Sequence, residues 1–313
     1  MELRGNKWYK CDLHIHTPES KCFSDKDISA EEWVRECINK GLDVVAVTDH
    51  NSGNYVDNIK EAAEGTGLIV FPGVEITCDT SKVHLLILFD RTKGTKDINE
   101  FLIYCGINSE DFAKQEAMTN ENYGIFQVAE EAIKRGALVI PAHIDEYNGI
   151  SVTSNKSMND FLSMHYINGV QVVNKEMYFN KQYTRDEMRT ALVERYPKLS
   201  DDLMKTWLNA VKKSIELEKS VLTFSDNPSA PKETTHGLWG IGKRYTWIKM
   251  DENVSLESLR QALIMPDQRI RNDFNNLAKP YTQPDFLIKG LLLKKTTLNN
   301  KDINISFNPQ LNT

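Results

Sequence analysis

The stretch Asp12-Leu13-His14-Ile15-His16-Thr17, close to the N-terminus, decides how the rest of this chain reads. It closes a run from Trp8 to His16 in which polar and apolar residues alternate, the period of a β-strand. Side chains two apart on a strand share a face. His14 and His16 therefore project together, and two imidazoles side by side can form half of a metal-binding site. A His-x-His pair has little specificity alone, so the weight falls on where the other histidines and carboxylates lie.

Working outward, Pro18 to Ile28 is a loop. Ser29 and Glu32 then form a capping box ahead of a helix with Trp33, Cys37 and Ile38 on its apolar face, stopped by Gly41. Leu42 to Val47 is a buried-strand pattern that ends at Thr48-Asp49-His50. A helix over 55–64 leads to a strand over 68–72, which ends at Gly73-Val74-Glu75. Val83 to Phe89 is a further strand and carries His84; 97–135 reads as mainly helical; Ala137 to Pro141 is a strand ending at His143. In the second half, 169–174, 220–224 and 245–250 are strands, the middle one ending at Ser225-Asp226. Helices are expected at 184–195, 200–219 and 255–264, with 200–219 a largely solvated face because it is rich in Lys and Glu.

Strands alternating with helices predict an α/β fold with a largely parallel sheet. In such folds sites form at the C-terminal ends of strands. Strands that end in Asp49-His50, Glu75, His143 and Asp226 bring ligands to one edge, where His14 and His16 join them. That combination predicts a multi-metal site. His165 follows no strand end and reads as structural.

Composition is that of a globular protein of 313 residues with a net charge of −6, which argues against a surface broadly suited to nucleic acid but not against a local basic patch. No Lys/Arg-rich strip interleaved with aromatics is evident along the chain. No apolar run approaches the ~20 residues of a membrane span, and no signal peptide is seen in residues 1–20. The five cysteines (Cys11, Cys22, Cys37, Cys78, Cys105) lack CxxC spacing, so reduced thiols in a cytoplasm are expected.

Taken in order, Asp12-Leu13-His14-Ile15-His16-Thr17, Thr48-Asp49-His50, Gly73-Val74-Glu75 with His84, Ala142-His143 and Ser225-Asp226 resemble the PHP (polymerase and histidinol phosphatase) domain family of metal-dependent phosphoesterases. The resemblance covers about residues 8–250 and implies a distorted seven-stranded β/α barrel, with two or three divalent ions (Mn, Zn or Fe) at its mouth. It implies that His14, His16, Glu75 and Asp226 hold the first ion. Glu75 would bridge to a second, shared with His84 and His143. His50 and two partners would hold a third, with Asp49 in support. Two cations sharing a carboxylate generate a hydroxide nucleophile near neutral pH and clamp phosphoryl oxygens. Glu75, Asp49, His236 and Arg244 are the residues expected to take part in catalysis.

Two departures from the family pattern stand out. Asp226-Asn227-Pro228 lacks the histidine that usually follows two residues after the Asp, and His236, ten residues downstream, is the candidate to loop back. The acidic ligand expected after His-x-His is assigned to Asp25, with Cys22 as a possible substitute. Lys175, Arg185, Lys243 and Arg244 are candidate phosphate contacts, each with a solvated surface charge as the simpler reading. Gly237 to Arg244 nearly spells a P-loop, but Arg244 replaces the Ser/Thr and a strand follows where a helix is needed.

Domain organisation is read as a phosphoesterase domain over 1–270 and a linker with a β extension over 271–313. Within the latter, Phe286 to Leu293 and Ile303 to Phe307 are strands, and Ile305 to Asn312 resembles the opening hairpin of ABC/SMC-type ATPase heads, without a P-loop. A subset of PHP domains is fused ahead of such ATPases, so an ATPase partner in cis or trans is expected, oligomerisation is possible, and no membrane is involved. The leading function is hydrolysis of phosphodiester bonds in DNA or RNA. The alternatives are a small-molecule or nucleotide phosphatase, and a metal-binding assembly module without activity.

Overall fold

The computed structural model describes residues 6–79, 81–280, 290–295 and 302–306. Its strands are β1 (Lys7–Ile15), β2 (Val44–Val47), β3 (Ile69–Cys78), β4 (Val83–Leu88), β5 (Leu138–Pro141), β6 (Gly169–Gln171), β7 (Ser220–Leu222), β8 (Thr246–Met250) and β9 (Ile270–Asn272). Seven of them build one curled sheet in the order β5-β4-β3-β2-β1-β8-β9, while β6 and β7 form a separate parallel pair. That pair bridges the two sheet edges. Just past β5, Ile144 N donates to Gln171 O of β6 at 2.9 Å, and Asn272 Nδ2 of β9 donates to Val221 O of β7 at 3.4 Å. The seven strands of the sheet are therefore not those of a regular β/α barrel, because β6 and β7 stand apart and the unforeseen β9 takes an edge.

Nor is the sheet largely parallel. Only β1–β2 and β2–β3 are, and β3–β4, β4–β5, β1–β8 and β8–β9 are antiparallel. The cause at β3–β4 is the short turn from Asp79 to Lys82, where Lys82 N donates to Asp79 O at 2.9 Å and too few residues remain for a crossover. The reversal has a functional consequence: His84, at the start of β4, arrives at the edge where β1, β2 and β3 end.

The helices are α1 (Ala30–Asn39), α2 (Val56–Ala63), α3 (Thr95–Tyr104), α4 (Ile125–Lys134), α5 (Asn155–Leu162), α6 (Lys175–Tyr178), α7 (Arg185–Arg195), α8 (Asp201–Glu216), α9 (Leu256–Ile264) and α10 (Pro266–Arg269); α1 to α8 bury residues against the outer layer, whereas α9 turns its buried face into the curl. The Ser29/Glu32 capping box starts α1, which buries Ala30, Trp33, Val34 and Cys37 at helical spacing. Expected helix over 97–135 is two helices, since Gly106 at φ +90 ends α3 and an irregular loop follows. Nor is α8 mainly solvated. Its Lys and Glu residues line one side, while Met204, Trp207, Ala210, Val211 and Ser214 are buried.

Apolar residues fall into two layers. Leu13, Phe71, Leu86, Ile140, Leu222 and Ile248 fill the inside of the curl, plugged by Leu259 and Leu263 of α9. Trp33, Ile59, Phe101, Val128, Phe161 and Trp207 fill the space between sheet and helices. Each fully buried aliphatic side chain contributes about 1.5–3 kcal/mol, so the strand ends stand on a rigid base.

Residue 270 does not end the main body. β9 spans it, Asp273 pairs with Arg244, and Tyr245 Oη donates to Leu277 O at 2.7 Å. The C-terminal extension contributes the antiparallel pair β10 (Gly290–Leu293) and β11 (Ile303–Ser306). Residues 286–289 and 307–312 of the strands and hairpin expected there lie outside the described residues.

Candidate metal centre

An irregularity in β1 sets up the centre. Cys11 and Leu13 belong to the inner core, yet Ile15 belongs to the outer layer, and the β1–β2 register shifts between Asp12 and Ile15. Strict alternation would turn His14 and His16 outward; the shift turns both imidazoles in. Behind them, Asp12 accepts from Ser225 N at 3.0 Å and Gly242 N at 3.1 Å, tying β1 to the chain after β7. Burial pushes its carboxyl up to about 6.

Glu75 is the hub. Its Oε1 lies 2.7 Å from His84 Nδ1 and 3.0 Å from His143 Nε2. Its Oε2 lies 3.3 Å from both His14 Nε2 and His16 Nε2, and 2.9 Å from His50 Nδ1. Asp226 Oδ1 closes the other side, 3.1 Å from His16 Nε2, 3.4 Å from His14 Nε2 and 3.6 Å from His236 Nδ1. Three sets of donor atoms each fit within 4.8 Å: His14/His16/Glu75/Asp226, His50/Glu75/His84 and His16/His50/His236. The six histidines lie on distant segments of the chain and all are buried.

The loop after β7 returns His236 to the cluster. His236 N donates to Cys22 O at 3.0 Å, Ser24 N donates to His236 O at 2.8 Å, and the ring stacks on His16 at 3.7 Å between centroids. Asn227 organises this return, accepting from His16 N at 2.6 Å while its Nδ2 donates to His16 O and Gly237 O. Asp49 stands behind the cluster, where its carboxylate accepts from Thr17 N, Thr17 Oγ1 and Ser20 Oγ.

Electrostatics are set by crowding. Burial alone would lower His14 and His16, but Asp226 and Glu75 overcome it and raise them to about 10 and about 8. Burial takes His50 down to about 4 and lowers His236 too. Burial opposes ionisation of Glu75 and Asp226, yet the surrounding imidazoles hold both carboxyls below the usual range. His143 and Asp226 sit at φ +26 and +48, backbone conformations that non-glycine residues adopt at a cost.

The donors fit divalent cations. Both ring nitrogens of His50, Nε2 of His236, Nδ1 of His143 and Oε2 of Glu75 are buried without a hydrogen-bond partner among the described residues. The close approach of His50 Nδ1 to Glu75 Oε2 lacks hydrogen-bond geometry. Buried lone pairs that converge in this way are costly unless a cation or proton lies between them. Nitrogen and carboxylate donors suit first-row divalent metals.

Several expected residues lie elsewhere. Asp25 is exposed and accepts from Asp27 N in a local turn, so the choice of Asp25 as a ligand is corrected. Arg244 is engaged by Asp273 through Nε and Nη2 and by Val173 O through Nη1, which leaves its guanidinium committed to structure. Cys22 flanks the return strap, its thiol pushed up to about 12 by burial and by the charge of Glu75 and Asp226. His165 packs on Tyr166 and belongs to none of the three donor sets. Gln171, which the sequence reading passed over, has Oε1 2.8 Å from His14 Nδ1 and accepts from His143 N at 3.2 Å. Its place at the end of β6 was the signal, since strand ends supply the other ligands.

A curled α/β sheet with a buried histidine and carboxylate cluster at its strand-end mouth, able to hold metal ions, defines a metal-site protein. The PHP domain family model matches residues 12–220, and the chain belongs to that family. It is 27% identical over 106 residues to the error-prone DNA polymerase of Symbiobacterium thermophilum, a match covering 34% of this chain and 10% of that protein. The chain thus spans about a tenth of that relative's length. A two-domain protein of Bacteroides vulgatus ATCC 8482, containing a predicted PHP-like metal-dependent phosphoesterase, superposes with a TM-score of 0.51 at 18% identity, over 87% of this chain and 66% of that one. An amidohydrolase from Chromobacterium violaceum aligns with a TM-score of 0.45 at 13% identity, over 85% and 99% of the two chains.

Proposed function

We propose that the chain is a metal-dependent phosphoesterase that cleaves phosphodiester bonds in nucleic acid. The observation that carries the reading is Glu75, whose two oxygens face separate imidazole sets and so suit a carboxylate shared between two ions. His14, His16 and Asp226 would complete one ion site, His84 and His143 the second, and His50 with His236 a third. Divalent cations supply an activated water and neutralise charge on the phosphoryl oxygens. The protein's own share is orientation: Gln171 aims His14, Asp49 and Asn227 hold the loops, and the buried floor excludes water. Similarity to part of a DNA polymerase supports nucleic acid as the substrate, and an ABC/SMC-type ATPase in cis or trans remains the partner we propose.

The test is cleavage of labelled single-stranded DNA and RNA by the Mn²⁺-loaded protein. Cleavage should appear and fall about 10²–10³-fold in Glu75→Gln, the scale expected when transition-state charge stabilisation is removed. Phosphate release from monoesters with oligonucleotides left intact would instead mark a small-molecule phosphatase. A fully metallated protein inert toward both would mark a binding module.

A further inference from the structure

Cross-strand pairing assembles on β1, β8 and β9 what the sequence scatters. Register sets Trp8 opposite Lys249, Lys10 opposite Trp247, and Trp247 opposite Arg271. Paired residues and those two apart share a face, and the opposite parity (Cys11, Ile248, Met250) lies in the inner core. Trp8, Lys10, Trp247, Lys249 and Arg271 therefore form one strip on the outside of the sheet, with Arg269 beside its end.

Among the described residues the strip is short of anions. Lys249 Nζ and Arg271 Cζ both lie 5.7 Å from the Trp8 ring. Burial, then Arg269 and Arg271, hold the Lys249 amine below its ordinary range. Trp8 and Trp247 are only 4% and 9% exposed, yet the indole N–H of each has no acceptor among the described residues. Carboxylates around this end of β1 have partners of their own: Asp43 accepts from Lys10 N, Glu36 pairs with Lys40, and Glu252 pairs with Lys7. Buried donors without acceptors beside crowded cations favour an anionic ligand. Beyond Tyr245, over which Lys10 Nζ lies at 4.2 Å, the chain leads to Lys243, stacked at 4.5 Å on Trp239, which is 41% exposed and three residues from His236.

We propose that this strip is a track for the phosphodiester backbone of single-stranded nucleic acid, leading along β8 to the metal centre beside His236. It rests on the nuclease reading and adds the path of the strand. Arg269, Arg271 and Lys249 take the phosphates; Trp8 and Trp247 form the floor that holds the cations; Trp239 offers a stacking face at the mouth.

The experiment is fluorescence anisotropy of the intact protein with a fluorescein-labelled single-stranded DNA oligonucleotide, with and without EDTA, across a salt series. Each phosphate contact on a single strand contributes about 0.7 to the slope of log K against log[salt]. Arg269→Gln/Arg271→Gln should bind at least about tenfold more weakly at low salt, with a slope shallower by roughly 1.4. Its melting temperature and its hydrolysis of bis(p-nitrophenyl) phosphate should match wild type. Wild-type binding and slope in that variant overturn the track, as does a wild-type protein that does not bind the oligonucleotide. The two readings fail separately. Normal binding and cutting by the variant sinks the track alone, whereas strip-dependent binding without cutting by the Mn²⁺-loaded protein supports the track and sinks the nuclease.

Discussion

Gln171 shows how far a single side chain reaches in this centre. One carboxamide oxygen faces His14 Nδ1 and holds the backbone of His143, joining ligands proposed for two different ions. Accepting from Nδ1–H fixes the tautomer that leaves the His14 Nε2 lone pair facing Glu75 and Asp226. Gln171→Leu should weaken divalent-cation affinity about 10–100-fold in a chelator competition, the usual cost of losing such a partner. Gln171→Glu keeps an acceptor and should retain most of it. Equal affinities in the two variants would show that the oxygen has no orienting role. A second prediction concerns pH. Without cations, His14 and His16 are raised to about 10 and about 8, so their stabilising share is complete below their unfolded value near 6.5. It is lost as pH rises through about 8 and then about 10. His50, lowered to about 4, works the other way and costs stability only as pH falls below 6.5. The melting temperature of chelator-treated protein should therefore decline from pH 6.5 to 9 and recover with added divalent cation, whose binding replaces the protons. A flat profile over that range would contradict the assignment. At this scale His50 and His143 were legible because they follow apolar strands, and His14 and His16 because they share a strand face, whereas His236 was reached only through the family histidine missing after Asp226. Gln171 and Asn227 were not, since an amide after a strand is ordinary and its meaning depends on partners far away in sequence.

Among the elements, the strap from Asn227 to Gly242 determines whether His236 belongs to the cluster. Within it, Gly240 lies so close to the start of the strap that a Cβ would come within 2.3 Å of Asn227 C and Pro228 N. Those are backbone atoms and cannot swing aside. Gly240→Ala should displace the strap and remove one ion per chain in elemental analysis, while ions held by Glu75, His84, His143 and Asp226 remain. An unchanged metal count in a folded Gly240→Ala protein would separate His236 from metal binding. The strand and helix pattern was largely readable, because apolar runs and caps are local signals; α1 begins at the capping box that its sequence announces. Strand direction was not readable. The tight Asp79–Lys82 turn and the antiparallel return of β8 onto β1 are decided by pairing, as is β9, too short to show a period of its own.

Over the whole molecule, the curl of the sheet converts a linear scatter of His, Asp and Glu into one pocket. The inner apolar layer fixes the strand ends, and the imidazoles and carboxylates stand on it with little room to move apart. A net charge of −6 hides a local excess of cations on β1, β8 and β9, because the charge of a chain says nothing about the faces its strands present. None of the helices among the described residues is long and apolar enough to cross a membrane. The most direct test of the account is an anomalous-difference map of crystals grown with Mn²⁺. The account predicts two or three peaks about 3.5–4 Å apart, the spacing of carboxylate-bridged ions, with Glu75 between two of them and His14, His16 and Asp226 around one. Peaks only at scattered surface carboxylates, with Glu75 touching no ion, would contradict it.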